Sequence, residues 1–265
     1  MFAELAEVSI SYELAGGGPP VLLISGTGSD LRASPGPFAW PGAERFAVLA
    51  YDHRDLGSSV SRSGRQPTMA DFAADALALV EHVGWDEFSL VGISFGGMVA
   101  QEVALAAGAR VRRLVLACTS AGGGCGSSYP LHELYSLTPA QRTARLVRLL
   151  DTRAGTNAGL ARAIEGFLAA DRSFATGEDP SAGLLRQLDA RRRHDTCARL
   201  AQIRAPTLVA GGKFDGIAPL ERCERLAEGI PGGRLEVFDG GHGFLFQDPT
   251  AWPAIAAFLR ESTAA

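Results

Sequence analysis

Several functional classes are excluded by what this 265-residue chain lacks. A net charge of −4 leaves no basic footprint for nucleic acid. The only basic run, Arg191-Arg192-Arg193, sits among Asp189, His194 and Asp195 and reads as a solvated helix face. No stretch of 18 apolar residues appears, and no apolar segment follows a basic start. Membrane spanning and secretion are therefore unsupported, and a cytoplasmic location is expected. The four cysteines, Cys118, Cys125, Cys197 and Cys223, form no C-x-x-C pair, so free thiols in a reducing compartment are the expectation. The five histidines are His53, His82, His132, His194 and His242. They make no pairs at ligand spacing, so neither a metal nor any other cofactor is expected. Ser25-Gly26-Thr27-Gly28 lacks both the Lys-Ser/Thr ending of a phosphate loop and the G-x-G-x-x-G spacing. No repeat at solenoid periods is visible.

What is present is apolar sequence in ordered alternation. Hydrophobic residues make up 46% of the chain, enough for a core with two covered faces. Val8–Tyr12 alternates apolar and polar residues, as a half-exposed antiparallel edge strand does. Val21–Ile24, Phe46–Tyr51, Phe88–Val91, Arg113–Cys118, Pro206–Ala210 and Leu235–Phe238 read as buried strands. Between them, Phe72, Ala76, Leu79, Val80 and Val83 fall at helical spacing, with Thr68 as N-cap and Gly84 as stop. A closing helix starts near Thr250. Strands alternating with helices predict an α/β fold, a mostly parallel sheet flanked by helices. The alternation stops after Ala121: a glycine-rich stretch leads into helical patterns without strands until about Ala205. Residues 1–121 and 206–265 are therefore expected to form the core, and 122–205 a helical cap inserted in it.

Gly92-Ile93-Ser94-Phe95-Gly96 lies between the Phe88–Val91 strand and a helical pattern from Gly97. With 32 glycines in the chain, G-x-S-x-G arises easily by chance, and the strand–turn–helix frame is what gives it meaning. Such an elbow lifts a serine hydroxyl above the sheet and sets the next N–H, that of Phe95, at a helix start. A serine needs a base to take its proton, and the base needs an acid to orient it. In the chain order Ser, acid, His, the candidates are Asp215, where the Pro206–Ala210 strand runs out into a loop, and His242, in a glycine-framed loop after the last strand. An Asx turn before Gly216 is the bland alternative for Asp215, and a solvated loop position that for His242. The other four histidines read as surface or packing residues. A second oxyanion donor is expected from the loop after Val21–Ile24, at the Thr27 N–H.

These stretches, with Tyr51-Asp52-His53-Arg54-Asp55-Leu56-Gly57-Ser58-Ser59, resemble the α/β-hydrolases, in particular the 3-oxoadipate enol-lactonase-like branch. Leu184–Leu188 through Ile203–Pro206 and the Ser25-Gly26 loop also resemble the aminoacrylate hydrolases. Where many relatives have His-Gly before the oxyanion residue, this chain has Ser25-Gly26, and it lacks the tryptophan enol-lactonases usually carry soon after Asp30-Leu31. The resemblance implies Ser94, Asp215 and His242 as a catalytic triad and Thr27 and Phe95 as oxyanion donors. The expected activity is hydrolysis of a small carboxylic ester or lactone through an acyl-serine, with a small-molecule substrate, no nucleic-acid or membrane partner, and oligomeric state left open. C–C bond hydrolysis, cofactor-free perhydrolysis and an inert receptor on the same fold are the alternatives.

Overall fold

The computed structural model describes residues 1–32, 36–170 and 181–261. Its frame is a nine-stranded sheet: β1 (Phe2–Glu4), β2 (Val8–Ala15), β3 (Pro20–Ile24), β4 (Ala47–Tyr51), β5 (Val60–Ser61), β6 (Phe88–Ile93), β7 (Val111–Ala117), β8 (Thr207–Gly212) and β9 (Arg234–Phe238). The order is β1-β2-β4-β3-β6-β7-β8-β9, with β5 paired to β2. From β4 to β9 every pairing is parallel, and β2 joins β4 antiparallel. Val8–Tyr12 is therefore a strand as expected, but not the edge: the short β1 pairs outside it.

The apolar runs of β3, β4, β6, β7 and β8 are continuous because both faces are covered. Leu235–Phe238, expected as a buried strand, is instead at the sheet edge in β9, and only Phe238 is buried. Leu22 and Ile24 of β3 point into one layer, with α1 (Met69–His82) and α2 (Phe95–Ala107). Val21 and Leu23 point into the other, with Trp40, Phe244 and α8 (Ala251–Arg260). α1 begins at Thr68, whose side chain and Asp71 form a reciprocal capping box, and Gly84 takes φ 74° just after its end.

Between β7 and β8 no sheet strand occurs among the described residues. The chain forms α3 (Pro139–Leu150), α4 (Ala158–Ala170) and α5 (Ala182–Arg192), and these share a small apolar core of their own that includes Leu146, Ile164, Leu184 and Leu188. Positions 171–180 of the expected cap lie outside the described residues. The remaining helices are α6 (Leu220–Gly229) and α7 (Phe244–Gln247). No helix among the described residues is long and apolar enough to cross a membrane.

Two further expectations are corrected. Cys125 and Cys197 are disulfide-bonded, Cα atoms 5.5 Å apart across 72 residues of sequence; only Cys118 and Cys223 are free thiols. The pairing is invisible in cysteine spacing because the helical segment leaves and returns at one place, where Thr196 N donates to Ala121 O at 2.8 Å. Nor are the three consecutive arginines one solvated face. Arg192 and Arg193 are exposed and pair with Asp189, whereas Arg191 is buried. A helix turns 100° per residue, so three in a row cannot all face water on a packed helix.

Candidate active site

Chain order makes the crevice. From β3 the chain moves outward to β4, then crosses back to β6 on the other side of β3. Loops leaving the carboxyl ends of β3 and β6 diverge at such a switch point and leave room between them. Ile24 and Gly92 are register partners there, so the Ser25–Gly28 loop and Ser94 emerge side by side.

Ser94 occupies φ 55°, ψ −114°, a strained conformation for a residue with a side chain. Its own backbone is pinned: its N–H donates to Ala117 O and its carbonyl accepts from Thr119 Oγ1, both at 2.8 Å. Glycine at position 96 is a steric requirement, since a Cβ there would overlap the Ile24 carbonyl. The turn aims the Ser94 hydroxyl at His242, whose Nε2 lies 2.9 Å from Oγ. His242 Nδ1 lies 2.8 Å from Asp215 Oδ2. Asp215 Oδ1 in turn accepts the N–H groups of Ile217 (2.7 Å) and Ala218 (2.9 Å), which fixes the carboxylate. A carboxylate on Nδ1 sets the tautomer, so Nε2 is the lone-pair nitrogen facing the Ser94 O–H. Ser94, His242 and Asp215 thus come from three loops into one hydrogen-bonded line.

His242 is held from the helical segment as well as from the sheet. Its N–H donates to Leu150 O at 2.7 Å. Gly241 N donates to Gln247 Oε1 at 2.7 Å, and Asp151, fully buried, takes Gln247 Nε2 at 3.3 Å and Arg153 Nη2 at 2.8 Å. Sequence reasoning did not find this brace; its residues carry no motif.

The Thr27 and Phe95 N–H groups donate to no partner among the described residues, whereas Gly28 N donates to Gln187 Oε1 at 2.8 Å. The free donors are those on either side of Ser94. His53 lies beneath them: its Nε2 donates to Ser25 O at 3.1 Å, and its ring meets Tyr51, Phe72 and Phe95 edge-on. Burial pulls its pKa down to about 4, so the ring is neutral. His53 packs as expected, but in the interior and against the Ser25–Gly28 loop. His82 is exposed, and His194 is buried. Burial pushes the Cys223 thiol up to about 12 and raises Cys118 too, so neither is a competing nucleophile.

Ser94 and His242 open onto a cavity of about 180 Å³ walled by Trp40, Ile93, Leu131, Leu150, Phe167 and Trp252. Asp30 is its only charged wall residue among those described, and no lysine or arginine lines it. Leu131, Leu150 and Phe167 come from the segment between β7 and β8. No group of three or more His, Cys, Asp or Glu residues suited to a metal occurs among the described residues.

Residues 19–249 match the family described as alpha/beta hydrolase fold. The chain belongs to that family and is an enzyme of the hydrolase class. Among similar proteins, RutD of Azorhizobium caulinodans, provisionally named a carbamate hydrolase, is 28% identical over 256 residues, covering 92% of this chain and 91% of its own. A poly(3-hydroxyalkanoate) depolymerase of Ectopseudomonas oleovorans is 29% identical over 266 residues, covering 97% and 91%. The solved structure of an enol-lactonase from Burkholderia xenovorans LB400 superposes with a TM-score of 0.77 at 21% identity, over 98% of this chain and 100% of that one.

Proposed function

We propose that this chain hydrolyses a small, uncharged carboxylic ester or lactone through an acyl-Ser94 intermediate. The observation that carries the reading is the line from Ser94 Oγ through His242 to Asp215, opening onto an apolar cavity. His242 takes the Ser94 proton as Oγ attacks the carbonyl carbon, and Asp215 stabilises the imidazolium that forms. The Thr27 and Phe95 N–H groups receive the tetrahedral oxyanion, each worth about 10²–10³ in rate. His242 then protonates the leaving alcohol, and water, deprotonated by the same ring, releases the acid.

Residues 122–205 act as the lid in this reading, because Leu131, Leu150 and Phe167 would close over the acyl group and limit water. The cavity's charge and size carry the substrate assignment. A carboxylate on the acyl chain would meet Asp30, whose partner Arg32 lies 3.4 Å away and is engaged by Asp30 and Asp52, and no lysine or arginine among the described lining residues, a desolvation cost of several kcal/mol. The cavity is also smaller than the roughly 300–1,000 Å³ of drug-sized sites, which favours a short acyl group. A hydroxyalkanoate ester, the linkage in the name of the depolymerase relative, meets both conditions. Carboxylate-bearing lactones do not.

The test compares p-nitrophenyl butyrate with p-nitrophenyl hemisuccinate, which differ in a terminal carboxylate. The expected kcat/KM ratio favours the butyrate by about a hundredfold or more, the consequence of an unpaired buried charge. Equal or better turnover of the hemisuccinate would overturn the neutral-substrate assignment.

A further inference from the structure

A second cavity, of about 370 Å³, lies behind the first, between the start of α2, the Ser127–His132 stretch and the end of α5. Polar side chains are more prominent in its walls than in those of the first cavity: Ser120, Ser128, His132, Arg191, Arg192 and His194 line it, over Met98. Arg191 is 5% exposed, yet no carboxylate among the described residues lies within 4 Å of its guanidinium. Its Nη1 donates to Tyr129 O and its Nη2 to Ser128 Oγ, both at 2.7 Å, leaving Nε without a partner. The charge of Asp215 acts on Arg191 from beyond 4 Å, but its oxygens are taken by His242 and by the Ile217 and Ala218 N–H groups. The other nearby acids are engaged as well, Asp189 with Arg192 and Arg193, Glu102 with Arg199, and Asp195 with the Cys197 N–H. A buried cation with no directly paired counter-ion is costly unless something supplies the charge at contact distance.

The neighbouring groups are left as donors. Ser128 Oγ has accepted from Arg191 and Ser120 Oγ from Ser128 N (3.1 Å), so each hydroxyl keeps its proton to give. His194 is 4% exposed; its ring faces the Ser120 backbone without full hydrogen-bond geometry and has no side-chain partner, and His132 Nδ1 is unpartnered too. Burial pulls the His194 pKa down to about 4, so at neutral pH it offers a neutral N–H and adds no second charge.

We propose that this cavity binds a small monoanionic carboxylate, held by Arg191 and His194 with the Ser120 and Ser128 hydroxyls. Arg192 also lines the cavity but is paired with Asp189 at 2.7 Å, so one uncompensated guanidinium, that of Arg191, balances one negative charge. The site is separate from the substrate cavity, and its occupation needs neither Ser94 nor turnover.

The experiment is calorimetric titration of the whole protein with sodium acetate at constant ionic strength, with sodium chloride as control. Saturable acetate binding is expected, half-complete at roughly 1–10 mM as befits so small a ligand, and absent with chloride. Arg191→Met should weaken it at least tenfold, while Arg193→Met, at an exposed arginine outside the cavity wall, leaves it unchanged. Because Arg191→Met removes two internal hydrogen bonds, His194→Leu serves as a second variant and should also weaken binding. The His194 ring resonances of the wild type should shift with acetate on the same curve. No saturable binding to the wild type, binding indifferent to both variants, or tighter binding of inorganic phosphate than of acetate would overturn the proposal.

Discussion

At the scale of single residues, backbone and burial decide what each polar side chain does. Ser94 and His53 illustrate the two cases. Ser94 is held at positive φ with its hydroxyl aimed at a ring nitrogen. His53 is buried among aromatic rings, neutral, and supports the Ser25 carbonyl. Because its pKa falls from the ordinary 6.5 to about 4 on folding, the unfolded chain binds more protons between those values. Stability is therefore expected to rise with pH from about 4 to 6.5 and to be complete above that window. The slope is up to about 1.4 kcal/mol per pH unit for His53, with a like share from His194. Urea unfolding across this range measures it, and His53→Gln should flatten the slope. A wild-type slope of zero would contradict the buried neutral assignment. Ser94, Asp215 and His242 were legible in the sequence because each follows a strand in a fixed chain order. Arg191 was not, because a run of three arginines does not reveal which one a helix turns inward. The Asp151–Gln247 brace was silent for a related reason, its partners lying 96 residues apart.

Among the elements, the long apolar strands were readable and the short ones were not. β3, β4, β6, β7 and β8 each carry four or more consecutive residues suited to a covered sheet, whereas Leu235–Phe238, expected as a buried strand, forms the edge strand β9 with only Phe238 buried. β1 and β5, of three and two residues, are too short to show a period. The helical segment between β7 and β8 was legible as a loss of strand pattern, but its disulfide was not. Cys125 and Cys197 close that segment at its root, so the bond restrains a 72-residue excursion in the unfolded chain. Replacing both with serine should cost roughly 2–4 kcal/mol, or about 4–16 °C of melting temperature for a chain this size. Thermal melts of the oxidised wild type and the double serine variant make the comparison. Unchanged melting would show that the segment is held by its packing alone.

For the molecule as a whole, the sheet's switch point, the elbow and the glycine-framed histidine loop act together. The crossing from β4 back to β6 creates the crevice, and β6 delivers Ser94 into it. β8 and β9 then bring Asp215 and His242 to the same edge, and the helical segment contributes apolar side chains to the cavity wall. The central claim is that this convergence makes Ser94 a nucleophile. A fluorophosphonate reacts with a serine only when a base removes its proton and donors receive the developing charge. The direct measurement is intact-protein and peptide mass spectrometry after exposure to such a probe. One adduct is expected, on Ser94, together with loss of ester hydrolysis; Ser94→Ala should take up no probe and keep the wild-type melting temperature. No adduct on the wild type, an adduct on another residue, or undiminished hydrolysis by Ser94→Ala would contradict the account.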